Sequence, residues 1–207
     1  MSNTRLYLIT PPTFNLNKFA GSLREALEGG DVASVQLRMK ESNDKNIIEA
    51  AKVLMPICHA KDVAFIINDN AEIAKLVDAD GVHVGQDDLT IEEARNVVGE
   101  NKIIGVTCKD SKHISMTAGE QGADYVAFGA FFPTKTKSIV TTASPEILQW
   151  WQDIFEIPCV AIGGINSTNA PSIAKAGADF VAVCSGVWDH PNGPKKAVTE
   201  INEAINT

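Results

Sequence analysis

The phrase "EQGADYVAFG" at residues 120–129 returns as "KAGADFVAVCSG" at 175–186, with "VDADGVHVG" at 77–85 a looser third copy. Each copy passes from the end of a helical pattern through Gly or Ala and an acidic turn into a fresh apolar run. The repeated unit is therefore a helix-to-strand joint. Working outward from these joints, eight strand-like runs emerge: "RLYLIT", "ASVQLRM", "VAFIIN", "DGVHVG", "KIIGVT", "DYVAFGA", "PCVAIGG" and "DFVAVCS". Segments of helical period lie between them, such as "NDKNIIEAAKVLMPICHAK", "TIEEARNVVGE", "SKHISMTAGEQG", "SPEILQWWQDIF" and "STNAPSIAKAG". Ser144 before Pro145 predicts the N-cap and first residue of one helix, and Gly122 and Gly177 stand where left-handed C-terminal caps belong. The order reads as strand then helix, eight times. Parallel strands of nearly continuous apolar character, each followed by a helix, close most economically into a (β/α)8 barrel, with an open doubly wound sheet as the alternative.

No linker, low-complexity tract or charge block divides the chain, so residues 1–207 read as one barrel domain. At 207 residues and 44% hydrophobic content, one sizeable core is within reach. A formal charge of −8, with 18 scattered Lys and Arg, argues against a nucleic-acid or anionic-membrane surface, because those partners require basic stripes. Any anion site must be local. Cys58, Cys108, Cys159 and Cys184 show no CxxC or zinc-type spacing and read as reduced, mostly buried thiols. The N-terminus lacks the pattern of a secretory signal, and no apolar run approaches the roughly 20 residues of a membrane span, which together suggest a cytoplasmic protein.

In a barrel of this kind the chemistry stands at the C-terminal strand ends and the loops after them. The second strand ends "VQLRMK", where Gln36, Arg38 and Lys40 alternate and are aimed at the interior and its mouth. Two cations and an amide there are costly unless an anion meets them; the alternative is a salt bridge lower in the core. Asn68, Asp69 and Asp88 follow strands three and four and offer the hard oxygen ligands that Mg²⁺ prefers when shared with substrate phosphates. Asp69 or Asp87 as a helix N-cap is the competing reading.

Strand five brings the Thr107 hydroxyl and Lys109 towards the rim. The loop after strand six, "GAFFPTKTK", offers Thr134, Thr136 and Lys137 to a phosphate behind the stiff Pro133, unless it is simply a solvated loop. Gly164 in "AIGGI" and Cys184-Ser185 in "AVCSG" fall in the loops after strands seven and eight, the usual phosphate site of the fold. His83 lies within strand four, where a structural role is at least as natural as a catalytic one. His59, His113 and His190 fall on helical or terminal segments away from this mouth. The three tryptophans suit packing on an outer helix.

Together, "VQLRMK", "INDN", "DGVHVGQDDL", "GADYVAFGAFFPTKTK", "AIGGI" and "GADFVAVCSG" occur in an order and spacing that resembles the thiamine phosphate synthase (thiamine-phosphate pyrophosphorylase) family of (β/α)8 enzymes, from about residue 5 to 190. The resemblance implies condensation of 4-amino-5-hydroxymethyl-2-methylpyrimidine diphosphate with a thiazole phosphate, giving thiamine phosphate and pyrophosphate. By match to the family motifs, Arg38, Lys40, Asn68 and Lys137 would hold the pyrophosphate and Gln36 the pyrimidine side. Asp69 and Asp88 would bind Mg²⁺, and Thr107 stands where the family usually has serine. Thr134, Thr136, the backbone around Gly164, and Cys184-Ser185 would take the thiazole phosphate.

Three positions depart from the pattern: Met39 for a usual acidic residue, Asn70 for a frequent second aspartate, and Lys109 for a common histidine. Rival readings are a thiazole tautomerase, which would need a histidine where Ala130 stands, and a silent paralogue that binds thiamine precursors. A generic phosphate-binding barrel isomerase would need a poised base at a strand end, and none is found. The preferred thiazole phosphate and the oligomeric state, a homo-oligomer included, stay open.

Overall fold

A computed structural model describes residues 4–133 and 142–206. Eight parallel strands, β1 (Arg5–Ile9), β2 (Val32–Leu37), β3 (Ala64–Asn68), β4 (Gly81–Val84), β5 (Ile103–Lys109), β6 (Tyr125–Gly129), β7 (Cys159–Ile162) and β8 (Phe180–Val183), pair in chain order. The ring closes where Leu6, Tyr7 and Leu8 of β1 pair with Val181, Ala182 and Val183 of β8, which excludes the open-sheet alternative. Helices α1 (Leu16–Leu27), α2 (Asp44–His59), α3 (Ala71–Val77), α4 (Ile91–Val98), α5 (Lys112–Glu120), α6 (Glu146–Gln152), α7 (Ala170–Lys175) and the short α8 (Ser185–Trp188) follow the strands in turn. A further helix, α9 (Gly193–Ile205), ends the described chain and packs against α1 and α7. No helix among the described residues is long and apolar enough to cross a membrane.

The apolar residues divide by strand parity. Leu6, Leu8, Val35, Leu37, Phe65, Ile67, Val126 and Phe128 point outward and form one large core with the inner faces of the helices. The opposite parity fills the lumen with a smaller cluster around Tyr7, Ile9, Tyr125, Ala127, Val160 and Ala182. Trp151 lies in the outer core, stacked on Phe155, with its indole N–H donated to the Ile157 carbonyl at 2.7 Å.

The joints that decide the fold from the sequence have a common construction. At the foot of β4, the Asp80 N–H donates to the Phe65 carbonyl (3.0 Å) while the Asp80 carboxylate accepts the Phe65 N–H (2.6 Å). Asp124 does the same to Ile104, at 2.9 and 2.7 Å, and Asp179 to Cys159, at 3.1 and 2.8 Å. Each carboxylate also meets a side chain from the helix preceding the earlier strand: His59 at 2.8 Å, Arg95 at 2.8 Å and Gln152 at 2.7 Å respectively. The aspartate of the "GAD" phrase is thus a clasp that satisfies an N–H at the start of a neighbouring strand, the second residue of β3 and β5 and the first of β7. Asp124→Ala should lower the unfolding free energy by about 2 kcal/mol, the typical cost of orphaning such an N–H and one charged partner. Denaturant melts would show it, and an unchanged midpoint would remove the clasp from the account of stability.

Gly122 and Gly177 adopt φ of 88° and 104° just past α5 and α7, as the capping pattern predicts. The expectation at Ser144 is corrected. Helix α6 begins one residue later, with Pro145 as its N-cap and no side-chain capping bond, because the Ser144 carbonyl instead accepts the Ile147 N–H in a tighter opening turn.

Candidate active site

The C-terminal ends of the strands surround one cavity of about 520 Å³. Gln36, Arg38, Lys40, Asn68, Asp69, Asp88, Thr107, Gly164, Cys184 and Ser185, ten of the residues selected from sequence, all line it. Thr134, Thr136 and Lys137 lie outside the described residues. Tyr7, Thr10, His83, Gln86 and Lys109 line the cavity as well.

Strand β2 ends at Leu37, so Gln36 alone of the cationic trio's stretch is a strand residue, and Arg38 and Lys40 extend past it. The Arg38 N–H donates to the Thr10 hydroxyl at 2.9 Å, which carries the inward alternation beyond the ladder. Lys40 pairs with Asp69 at 3.4 Å at the mouth, so the core salt bridge considered as an alternative is not where this cation lies. Asp69 itself sits at φ 64°, a left-handed conformation that Asp tolerates better than most residues, and its N–H donates to the His83 carbonyl at 2.7 Å. Neither Asp69 nor Asp87 caps a helix. Asn70 caps α3 through its side-chain oxygen, and Thr90 caps α4 in a reciprocal pair with Glu93. The departure at Asn70 therefore has a local structural task, and Met39 packs partly buried against the outer core.

Asp69 and Asp88 stand together at this mouth. Burial is the largest influence on the Asp69 carboxyl and raises it above the usual carboxylate range; Lys40 opposes the shift and the Asp88 charge adds to it. Asp88 accepts the Gly85 N–H at 2.7 Å, which fixes the loop after β4. Among the described residues no group of three or more His, Cys, Asp or Glu is placed to hold a metal ion. The protein side of this mouth thus supplies a pair of carboxylates, a donor set suited to a hard divalent cation that takes its remaining ligands from elsewhere.

The opposite side of the mouth is backbone. Gly163 and Gly164 after β7 have φ of 104° and 65°, and a Cβ on Gly164 would lie 2.5 Å from the Pro133 carbonyl oxygen. Only glycine fits, and the turn is held by Asn169, whose amide donates to the Gly164 carbonyl at 3.0 Å. Cys184 is half-buried beside Thr10, its sulfur 3.6 Å from the Thr10 carbonyl oxygen. Burial pushes this thiol up to about 11, against the pull of Arg38, so at neutral pH it is no thiolate nucleophile.

Sequence reading missed the floor of the cavity. Gln36 Nε2 donates to the Tyr7 hydroxyl at 3.2 Å, and the two hydroxyls of Tyr7 and Tyr125 are 2.8 Å apart. The Tyr125 hydroxyl is 2.8 Å from His83 Nδ1, and His83 Nε2 is 2.7 Å from the Thr107 hydroxyl. The signal was parity: Tyr7, Gln36, His83, Thr107 and Tyr125 all occupy lumen-facing positions of otherwise apolar strands. The remaining histidines lie away from this floor, His59 on Asp80 and His190 beside Glu200 at 3.2 Å.

A closed (β/α)8 barrel carrying cations, paired carboxylates and glycine turns around one end defines a barrel enzyme that handles small anionic ligands. The chain matches, over residues 6–187, the family model described as thiamine monophosphate synthase, and it belongs to that family. It is 58% identical to the thiamine-phosphate synthase of Rhodospirillum centenum (strain ATCC 51521 / SW), over 99% of each chain. It is 48% identical to the enzyme of the same name from Hyphomonas neptunium (strain ATCC 15444), over 96% of this chain and 92% of that one. Among solved structures, thiamine phosphate pyrophosphorylase from Pyrococcus furiosus superposes with a TM-score of 0.85 at 35% identity, covering 99% of this chain and 96% of that one.

Proposed function

We propose that this chain catalyses the condensation of 4-amino-5-hydroxymethyl-2-methylpyrimidine diphosphate with a thiazole phosphate, forming thiamine phosphate and releasing pyrophosphate. The observation that carries the reading is near full-length similarity to thiamine-phosphate synthases combined with one cavity that gathers Gln36, Arg38, Lys40, Asn68, Asp69, Asp88 and Thr107. The chain is an enzyme of thiamine biosynthesis on this ground. Nothing supports the tautomerase or silent-paralogue alternatives.

The chemistry asks little of the protein beyond charge and position. A pyrophosphate on a benzylic-type carbon is a good leaving group once its charge is met, so the C–O bond breaks largely before the thiazole nitrogen attacks. Arg38, Lys40, Asn68 and Lys137 would hold that pyrophosphate. Gln36 would orient the pyrimidine so that its exocyclic carbon faces the acceptor, and the Gly163-Gly164 turn with Cys184, Ser185, Thr134 and Thr136 would hold the thiazole phosphate. Asp69 and Asp88 would hold Mg²⁺, which when bound supplies positive charge to the leaving group. The pair fits such an ion because a partly buried carboxylate, Asp69, stands beside a second, exposed one, Asp88, and each raises the cost of the other's charge. No base is needed, which agrees with a floor whose histidine is occupied at both ring nitrogens.

The test is direct. Purified protein mixed with both substrates and Mg²⁺ should release pyrophosphate in step with thiamine phosphate, and excess chelator should stop it. Absence of release from the complete mixture would overturn the reading, and full activity in chelator would remove the metal from it.

A further inference from the structure

The floor of the cavity is a single file of hydrogen bonds that joins two groups of the proposed site, Gln36 at one end and Thr107 at the other. With the amide in this orientation, one proton order keeps every proton within the file, because in the reverse order the Tyr7 proton has no acceptor there. The Tyr7 oxygen accepts from Gln36 Nε2, so the Tyr7 proton goes to the Tyr125 oxygen, the nearest remaining acceptor at 2.8 Å. The Tyr125 proton then goes to His83 Nδ1, which leaves the neutral ring to carry its proton on Nε2 and donate to the Thr107 oxygen. With its oxygen accepting, Thr107 gives its own proton outward. At the other end, an amide whose nitrogen is engaged by Tyr7 keeps its carbonyl oxygen as an acceptor. Burial pushes both phenols well above their ordinary range, so both protons are present at neutral pH.

We propose that Tyr7, Tyr125 and His83 are positioning residues that set the direction of this chain, turning Thr107 into a hydroxyl donor for the pyrophosphate and Gln36 into a carbonyl acceptor for the pyrimidine amino group. This rests on the functional reading above for the identity of the two ligands. None of the three is asked to exchange a proton during the reaction. Their work is to hold two hydrogen-bond polarities fixed before substrate arrives, so that neither group reorganises as charge develops on the leaving group. The chain couples them: a substrate amine at Gln36 and a phosphate at Thr107 both favour the same proton order, and ligands of the reverse polarity favour neither.

A double-mutant cycle tests this, with Tyr125→Phe, Thr107→Val and the pair measured beside the wild type. Readouts are kcat, KM for each substrate, calorimetric affinity for Mg-pyrophosphate, and thermal unfolding. Each single variant should lose about tenfold in kcat and in pyrophosphate affinity, the worth of one hydrogen bond to a charged group. The double variant should be within about twofold of the worse single, because Tyr125 acts through Thr107. Tyr7→Phe breaks the same file one link further on. It should show the same coupling to Thr107→Val, with a raised KM for the pyrimidine diphosphate, and it carries the test if Tyr125→Phe does not fold. Effects that multiply, to about a hundredfold in the double variant, would overturn the proposal and leave the tyrosines a packing role, as would a lowered melting temperature with an undiminished Thr107→Val penalty. If the wild type releases no pyrophosphate from its substrates, the functional reading fails by itself; the pyrophosphate-binding cycle still judges the chain.

Discussion

Asp69→Asn should lower kcat by about a hundredfold, corresponding to ~3 kcal/mol of transition-state stabilisation, while leaving the fold intact. The substitution keeps the volume of the side chain and a residue type that tolerates the left-handed backbone at φ 64°, so the turn after β3 should survive. What it removes is the carboxylate that stands beside Asp88 at the mouth and pairs with Lys40. The loss should fall on kcat rather than on KM for the thiazole phosphate, because in the proposed reaction the charge that Asp69 would help to manage develops at the leaving group. Steady-state kinetics at saturating Mg²⁺, with thermal unfolding as the control, decide it. A variant with wild-type kcat would take Asp69 out of the reaction.

Gly105→Ala should strongly destabilise the barrel. A Cβ at this lumen-facing position of β5 would lie 1.9 Å from Cζ of Tyr125 and 2.3 Å from its hydroxyl oxygen. The ring cannot retreat, since it is buried in the lumen against Tyr7 and His83. Overpacking of this severity costs about 3 kcal/mol, which for a chain of this size lowers the melting temperature by about 8 °C. The hydroxyl would also leave the line between Tyr7 and His83, so surviving protein should be impaired in turnover. Thermal denaturation checks the first part, and a melting temperature within about 1 °C of wild type would show that the lumen has room that the packing denies.

The barrel was legible because its joints are written three times with the same aspartate, and because each strand is a short apolar run bounded by turn residues. The rim was legible for a related reason. In a (β/α)8 order every strand end faces the same way, so polar residues at the ends of "VQLRMK", "FIIN" and "GVTCK" had to converge, and all but those in 134–141 are seen to do so. The floor was not legible, because a tyrosine inside an apolar strand packs as well as it hydrogen-bonds, and nothing local distinguishes Tyr7 from a hydrophobic residue. The start of α6 went astray because Ser-Pro is a frequent opening for a helix, yet here the serine carbonyl, and not its hydroxyl, does the work.

Among the described residues the carboxylate clasps fall at the foot of every second strand, and each reaches back to the strand before it: Asp80 to β3, Asp124 to β5, Asp179 to β7. Asp31, just ahead of β2, reaches β1 through both nitrogens of the Arg5 fork at 2.7 Å. Three strand pairs, β3–β4, β5–β6 and β7–β8, are thereby closed by a carboxylate on backbone, and β1–β2 by an ion pair between side chains. Across the seams the joints are made by backbone instead: the first N–H of β5, Ile103, donates to the Asp80 carbonyl, and that of β1, Arg5, to the Asp179 carbonyl, both at 2.9 Å. One acidic residue thus serves both seams, its carboxylate closing the strand pair behind it and, for Asp80 and Asp179, its carbonyl receiving the strand ahead, at the end of the barrel remote from the cavity.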